Sequence, residues 1–124
     1  MTIRVKRAYE PAAPEDGTRV LVDRLWPRGL SQAAAAIDAW LKDLAPSDDL
    51  RRWFGHDAER WDEFRKRYWQ ELDVRQAALQ ELAARAGGGP VTLVYGARDT
   101  EHNNAVALRD YLVRRLAGRD GEEL

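Results

Sequence analysis

Two arginines, a carboxylate and a tryptophan fall close together in the segment VDRLWPRG, residues 22–29. The planar guanidinium groups of Arg24 and Arg28 can each bind a phosphate or a carboxylate through two parallel hydrogen bonds. We therefore take Arg24, Trp26 and Arg28 as candidate ligand-binding residues and Asp23 as a candidate for proton transfer. A structural interpretation is equally open, in which Asp23 and Arg24 form ion pairs and Trp26 fills the core.

A second group of polar residues occupies positions 98–104, with the sequence RDTEHNN. A helix is predicted to begin here, and a helix N-terminus presents unpaired backbone N–H groups and a partial positive charge that attract anions. Arg98 would add a full charge, and the amides of Asn103 and Asn104 could orient the ligand. Ordinary helix capping by Thr100 explains the same residues without any ligand.

The chain has only two histidines, and both lie close to a carboxylate. A histidine beside a carboxylate can act as a general base, so His102, Asp99 and Asp23 are the candidate catalytic residues if a reaction takes place. The other histidine, His56, precedes Asp57. The spacing of these groups is not typical of a metal site, and we predict neither a metal nor a cofactor.

A third cationic segment begins at Ser47, which follows a proline and precedes two aspartates, a pattern typical of a capped helix start. Arg51 lies four residues after Ser47, so both side chains can share one face of that helix. Ser47 and Arg51 are therefore further candidate ligand-binding residues. The sequence alone favours the structural interpretation, a capped helix with solvated arginines.

Apolar periodicity predicts the strands that would position these groups. Alternation over residues 3–6 indicates a first strand, and the apolar run within residues 19–26 indicates a buried second strand. Residues 91–95, VTLVY, give the clearest strand pattern and end in Tyr95, another candidate ligand contact. Residues 37–44 fit a helix and a short strand about equally well.

Helical spacing predicts the remaining elements. The expected helices cover residues 33–36, 47–54, 57–86 and 100–118. The long third helix has an apolar stripe that should bend near Asp73. The fourth helix should begin at a Thr100 cap and end at Gly118.

Strands that alternate with helices, with no hairpin turn between two strands, predict an α/β fold. We expect one compact domain over residues 1–118, with a short, mostly parallel sheet, helices packed on its faces, and a frayed tail over residues 119–124. Ligands of such sheets collect beyond the carboxyl ends of the strands. The candidate residues that follow the strands at 19–26 and 91–95 would meet there.

Composition excludes several classes of protein. The 124 residues carry a net charge of −1, which gives electrostatic capture of nucleic acid or of anionic lipid no support. No cysteine is present, so disulfides and thiol nucleophiles are excluded. No apolar stretch approaches the roughly 20 residues of a membrane span. We therefore expect a cytoplasmic domain without membrane contact.

Several motifs of the chain resemble the YeaO-like family of small bacterial proteins. The resemblance begins with VDRLWPRG, continues through WLK, APS and LRRWF between residues 40 and 54, and closes with VTLVY and NNA before residue 106. It covers residues 3 to about 116 and implies a compact α/β domain with a short parallel sheet. The family is one of unknown function, so no reaction follows from it. The resemblance extends to a wider superfamily whose members look as though they carry a cysteine near the final strand. This chain has no cysteine.

Three functions from different classes remain open at this point. The leading hypothesis is a pocket for a small phosphate- or carboxylate-bearing ligand, with or without catalysis. The alternative is a protein-interaction or regulatory module, which predicts exposure of Trp53 or Trp69. Nucleic-acid binding through a local arginine patch is a weaker third hypothesis. The sequence does not decide between a monomer and a homodimer.

Overall fold

Four parallel strands form the centre of the protein. The computed structural model describes the backbone of residues 2–123 and the side chains of residues 2–115. The strands are β1 (Ile3–Arg7), β2 (Thr18–Leu21), β3 (Ala39–Trp40) and β4 (Val91–Tyr95). They lie in the order β1-β4-β2-β3, and every pairing is parallel. The α/β fold with a short parallel sheet is thereby confirmed.

The central strand β4 is buried along its whole length, as expected of a strand with neighbours on both sides. Ile3 of β1 and Thr18 of β2 both lie opposite Val91, so the three strands begin at the same level. Their carboxyl ends therefore share one edge, where Tyr95 lies opposite Arg7. This edge carries the site described below.

The second strand is shorter than the sequence predicts. It ends at Leu21, although the Val22 N–H still donates a 3.1 Å hydrogen bond to the Val94 oxygen. The prediction of strand structure up to residue 26 is wrong because the neighbouring strands stop: β4 ends at Tyr95 and β3 has two residues. Beyond them the backbone has no ladder partner, and residues 23–26 form a loop.

The ambiguous segment 37–44 contains the short strand β3, followed by a 3-10 turn over Lys42–Leu44. Asp38 fixes its start, because the Arg19 N–H donates to the Asp38 carboxylate at 2.8 Å while the Asp38 N–H donates to the Arg19 oxygen at 2.9 Å. This contact between distant parts of the chain, absent from the local pattern, decides in favour of the strand.

Five α-helices surround the sheet. They are α1 (Gln32–Ala35), α2 (Asp48–Phe54), α3 (Trp61–Asp73), α4 (Gln76–Gly87) and α5 (Asn104–Glu123). The predicted caps of α1 and α2 are confirmed: Ser31 accepts the Ala34 N–H, and Ser47 accepts the Leu50 N–H. The predicted bend near Asp73 is a complete break between α3 and α4.

The prediction that Thr100 caps the last helix is wrong. Asp99 accepts hydrogen bonds from the N–H groups of Glu101 and His102, which folds this stretch into a turn instead of a helix. The cap is Asn103, whose side-chain oxygen accepts the Val106 N–H at 2.9 Å.

The last helix also extends beyond its predicted end. The helix α5 continues past Gly118, and the side chains from residue 116 onward lie outside the described part of the structure. The division into a domain over residues 1–118 and a frayed tail stays a prediction.

The two faces of the sheet are covered differently. On one face, buried residues of β2 and β4 pack against helices α2 to α5, with Phe64, Tyr68, Leu72 and Leu108 among the most completely buried. On the other face, a smaller cluster around Leu21 and Val94 is covered by Trp26, Leu30, Ile37 and Trp40. The loop that holds Trp26 is therefore anchored to the second face at the carboxyl end of β2.

The second face also contains a buried ionic cluster. Arg19 and Asp16 are 3% and 4% exposed and form a 2.8 Å ion pair, and Lys6 contributes a second contact to Asp16 at 3.2 Å. The Arg19 guanidinium also donates to the Ala35 oxygen at the end of α1.

Within the residues described, no helix is long and apolar enough to cross a membrane.

Candidate functional site

A cavity of about 500 Å³ opens at the carboxyl ends of β2 and β4. The loop after β2, the start of α2 and the turn before α5 form its walls. Eight of the predicted site residues line it, namely Asp23, Arg24, Trp26, Arg28, Arg51, His102, Asn103 and Asn104. The cavity thus lies at the carboxyl ends of the strands, where ligand sites of open α/β sheets collect.

Asp23 is a half-buried residue of the cavity lining and connects several of its parts. Its carboxylate accepts a 2.8 Å hydrogen bond from the Gly96 N–H and a 3.0 Å bond from the Asn104 amide. Its backbone oxygen accepts the indole N–H of Trp40 at 2.8 Å. Burial raises the pKa of Asp23, and the bonds from Asn104 and Gly96 oppose that effect.

The two asparagines have different surroundings. Asn103 is 2% exposed, and it both caps α5 and donates to the Asp99 oxygen. Asn104 donates from its side-chain nitrogen to the Val22 oxygen and to Asp23, both at 3.0 Å. Asn103 is therefore committed to the fold, whereas Asn104 lines the cavity and makes these two bonds with its amide nitrogen.

Three arginines line the cavity. Arg24 and Arg51 approach the same carboxylate oxygen of Asp48, at 3.4 and 3.3 Å. The Arg24 atom that approaches Asp48 is its buried Nε, and this contact is an ion pair without hydrogen-bond geometry. Arg28 is exposed, and its backbone oxygen accepts the hydroxyl of Tyr9 at 2.9 Å. The cavity thus has a concentration of positive charge with one shared counter-ion.

Aromatic side chains form much of the remaining wall. Phe54 and Phe64 stack with their ring centroids 4.2 Å apart. Trp26 packs edge-on against Trp40 at 5.4 Å and donates its indole N–H to the Leu30 oxygen at 2.7 Å. These rings form an apolar part of the cavity wall, whereas the arginines form a charged part.

His102 is the histidine with a defined carboxylate partner. Its Nδ1 atom lies 3.0 Å from the Asp99 carboxylate, and the ring of Trp61 packs edge-on against the imidazole at 5.3 Å. Hydrogen bonds from the N–H groups of Glu101 and His102 lower the pKa of Asp99, assisted by the imidazole. An ionised Asp99 accepts a hydrogen bond from Nδ1–H, which leaves Nε2 as an acceptor when the imidazole is neutral.

Four predicted site residues lie outside the cavity lining. Ser47 is occupied by Glu71, to which its hydroxyl donates at 2.6 Å. Tyr95 is 2% exposed in the core, and burial raises its pKa. Asp99 acts on the cavity only through His102. Arg98 is exposed and is absent from the cavity lining, so the expected strand-end cluster omits it.

Several lining residues were missed by the sequence interpretation. His56 lies at the cavity with a left-handed backbone, φ 57°, directly after Gly55 at φ 55°. Tyr9 and Phe64 come from the first loop and from α3. A helix stop followed by a histidine is the one signal that could have pointed to His56.

Among the described residues, no group of three or more histidine, cysteine or acidic side chains could hold a metal ion.

Comparison with known proteins places this fold and site in a family. The model of the family described as the inactive DUF488-N3 subclade matches residues 2–124. The chain belongs to this family. The match includes every residue that lines the cavity.

Relatives of similar length support the same assignment. The uncharacterised protein YeaO of Escherichia coli K12 is 42% identical over 112 residues, which are 90% of this chain and 97% of YeaO. The uncharacterised protein Rv3073c of Mycobacterium tuberculosis H37Rv and the uncharacterised protein Mb3100c of Mycobacterium bovis are each 44% identical over 110 residues, 89% of this chain and 92% of theirs. The YeaO-like resemblance is confirmed. No solved structure matches the chain with significance.

Proposed function

We propose that this protein binds a small organic anion in the cavity at the carboxyl ends of β2 and β4. The observation that carries the proposal is the arrangement of Arg24, Arg28 and Arg51 around one cavity. Arg24 and Arg51 approach one carboxylate oxygen of Asp48 at 3.4 and 3.3 Å, so two of these guanidinium groups share a single ion-pair partner. An anionic group among the three arginines would therefore gain charge-assisted hydrogen bonds.

The size of the cavity supports an organic ligand over an inorganic ion. Its volume of about 500 Å³ falls within the range of about 300–1,000 Å³ that is usual for small-molecule sites. Phe54, Phe64 and Trp26 supply apolar wall that a bare phosphate could not use. A second cavity, at the opposite end of the sheet, holds only about 100 Å³.

Binding without chemistry is the form of this proposal that the residues favour. Within the described lining there is no serine, threonine, cysteine or lysine that could serve as a nucleophile. The hydroxyl of Tyr9 is committed to the Arg28 oxygen. The description of the family as inactive also supports a binding role. His102, Asp99 and Asp23 would then orient the ligand without transferring a proton.

The protein-interaction alternative has less support. It predicts an exposed Trp53 or Trp69, and both side chains are half-buried. Arg60 and Arg67 lie over the ring of Trp53, with the guanidinium carbons 5.4 and 4.3 Å from the ring centroid. A ring covered in this way presents little apolar surface to a partner.

The proposal can be tested by calorimetry and thermal shift with a panel of nucleotides, sugar phosphates and aromatic carboxylates. An anion at a hundred times its Kd should stabilise the wild type by about 2.7 kcal/mol, which raises Tm by several degrees. Arg28→Gln should abolish the shift, since it removes an exposed charge from the cavity. Arg85→Gln is the matched control, because Arg85 pairs with Glu81 on α4 and does not line the cavity.

Two outcomes would contradict the proposal. One is the absence of any shift for every anion of the panel at millimolar concentration. The other is an equal loss of binding in Arg28→Gln and Arg85→Gln, which would indicate general screening of charge in place of a site.

A further inference from the structure

The cavity has hydrogen-bond acceptors as well as cations, and these groups differ in exposure. Arg28 and Arg51 are exposed, whereas Arg24, Asp23 and Asn104 are half-buried. An anion held between Arg28 and Arg51 would have the rest of its body directed toward Arg24 and the acceptors. This distribution restricts the chemistry of the ligand.

Each of the acceptors has capacity left. The Asp23 carboxylate receives one hydrogen bond on each oxygen, from Gly96 and from Asn104, and a carboxylate can accept about four. The amide nitrogen of Asn104 is used twice, and no donor among the described residues reaches its oxygen. When the imidazole of His102 is neutral and its Nδ1–H is directed to Asp99, its Nε2 is an acceptor.

We propose that Asp23, Asn104 and His102 select a ligand that carries hydroxyl or amino donors in addition to its single anionic group. The inference rests on the proposed function and names the chemical class of its ligand: an organic monoanion or phosphate monoester with donors on an apolar or aromatic body. A donor satisfies acceptors that would otherwise lose water without compensation. A second anionic group at the same depth would meet the Asp23 carboxylate and be repelled.

Matched pairs of probes isolate this property. Adenosine 5′-monophosphate and its 2′,3′-dideoxy analogue share the phosphate and the base and differ only in two hydroxyl groups. The aromatic acids 3-phenyllactate and 3-phenylpropionate differ in one hydroxyl group. Isothermal titration of the full chain with all four probes gives the affinity ratio within each pair.

We expect the hydroxylated member of a pair to bind roughly threefold to tenfold more tightly, which is the contribution of one net hydrogen bond. His102→Phe should reduce that ratio toward one, because phenylalanine keeps the packing against Trp61 and removes the acceptor. Asn104→Ala should have the same effect. Since Asn104 also bonds to Val22 and Asp23, the half-exposed His102 supplies the variant that is safer for folding.

The arginine variant separates this inference from the function on which it rests. Arg28→Gln should weaken both members of a pair in parallel and leave their ratio unchanged. Equal affinities of the two members in the wild type, or a ratio unchanged in both His102→Phe and Asn104→Ala, would overturn the inference alone. Failure of all four probes to bind, together with the absence of a thermal shift for every anion of the panel, would contradict the proposed function and the inference together.

Discussion

The carboxylate of Asp23 accepts a 2.8 Å hydrogen bond from the backbone N–H of Gly96, which joins the chain just beyond β2 to the chain just beyond β4. A Cβ atom at position 96 would stand 3.3 Å from the same oxygen, so a glycine there allows the close approach. The residues are 73 positions apart in sequence. This bond fixes the base of the cavity.

Replacement of Asp23 should therefore destabilise the protein as well as change the cavity. In Asp23→Ala the Gly96 N–H and one amide hydrogen of Asn104 lose their acceptor, at a cost of about 1–3 kcal/mol for buried donors. Urea denaturation measures the difference. Asp62→Ala, whose side chain is 95% exposed, should change stability by less than about 1 kcal/mol. Equal losses in the two variants would contradict the connecting role of Asp23.

The buried ionic cluster makes a second prediction, on Asp16. Asp16→Asn leaves Arg19 buried without its charge partner, and loss of one partner of a buried pair costs about 3–5 kcal/mol. Burial acts to raise the pKa of Asp16, but hydrogen bonds from Ala13, Lys6 and Arg19 outweigh it, and the pKa is lowered from 3.8.

The lowered pKa of Asp16 sets the direction of a pH effect. Its contribution to stability is fully present above the unfolded-state value and is lost as pH falls through the folded-state value. The gap in unfolding free energy between wild type and Asp16→Asn should thus narrow on acidification below about pH 5. Urea unfolding followed by circular dichroism measures this difference in unfolding free energy at each pH. A difference that stays constant down to pH 2 would exclude the linkage.

Two glycines with positive φ allow a matched comparison of backbone and packing effects. Gly17 has φ 64°, and a Cβ there would lie 2.1 Å from the Pro90 oxygen. Gly55 has φ 55°, and the atom nearest to a Cβ added there would be 3.6 Å away. Gly55→Ala should cost about 1 kcal/mol from backbone conformation alone, and Gly17→Ala several times more. Thermal denaturation of both variants measures the two losses of stability. Losses of equal size would contradict the prediction and would mean that the chain near Pro90 moves away from the added Cβ.

Arg75 gives a fourth prediction, at the break between α3 and α4. Its guanidinium donates to the backbone oxygens of Asp43 and Ala45 and pairs with Glu71 at 3.6 Å. Arg75→Met keeps an unbranched stem similar to the aliphatic part of arginine but leaves these carbonyls without a donor, at a cost of about 1–3 kcal/mol. Arg85→Met on α4 is the control and should cost less than about 1 kcal/mol. The free energy of unfolding in urea decides between them.

The local elements of this fold follow well from the sequence. Ser31 and Ser47 cap the helices that their types and neighbours predict, and Gly55 ends α2 in the left-handed conformation. The strand over residues 91–95 agrees with its apolar pattern. The errors occur where a side chain binds the backbone in a competing way, as when Asp99 forms a turn and moves the helix cap from Thr100 to Asn103.

The sequence by itself determined the α/β class, the strand-end location of the cavity and the absence of thiol chemistry, because these depend on periodicity and composition. The tertiary structure alone decided which charged groups share the cavity. Arg51 joins Arg24 there through Asp48, whereas Arg98 does not reach it. Contacts such as Asn104 to Asp23, 81 residues apart, depend on how the sheet aligns distant strands. No local pattern records that alignment.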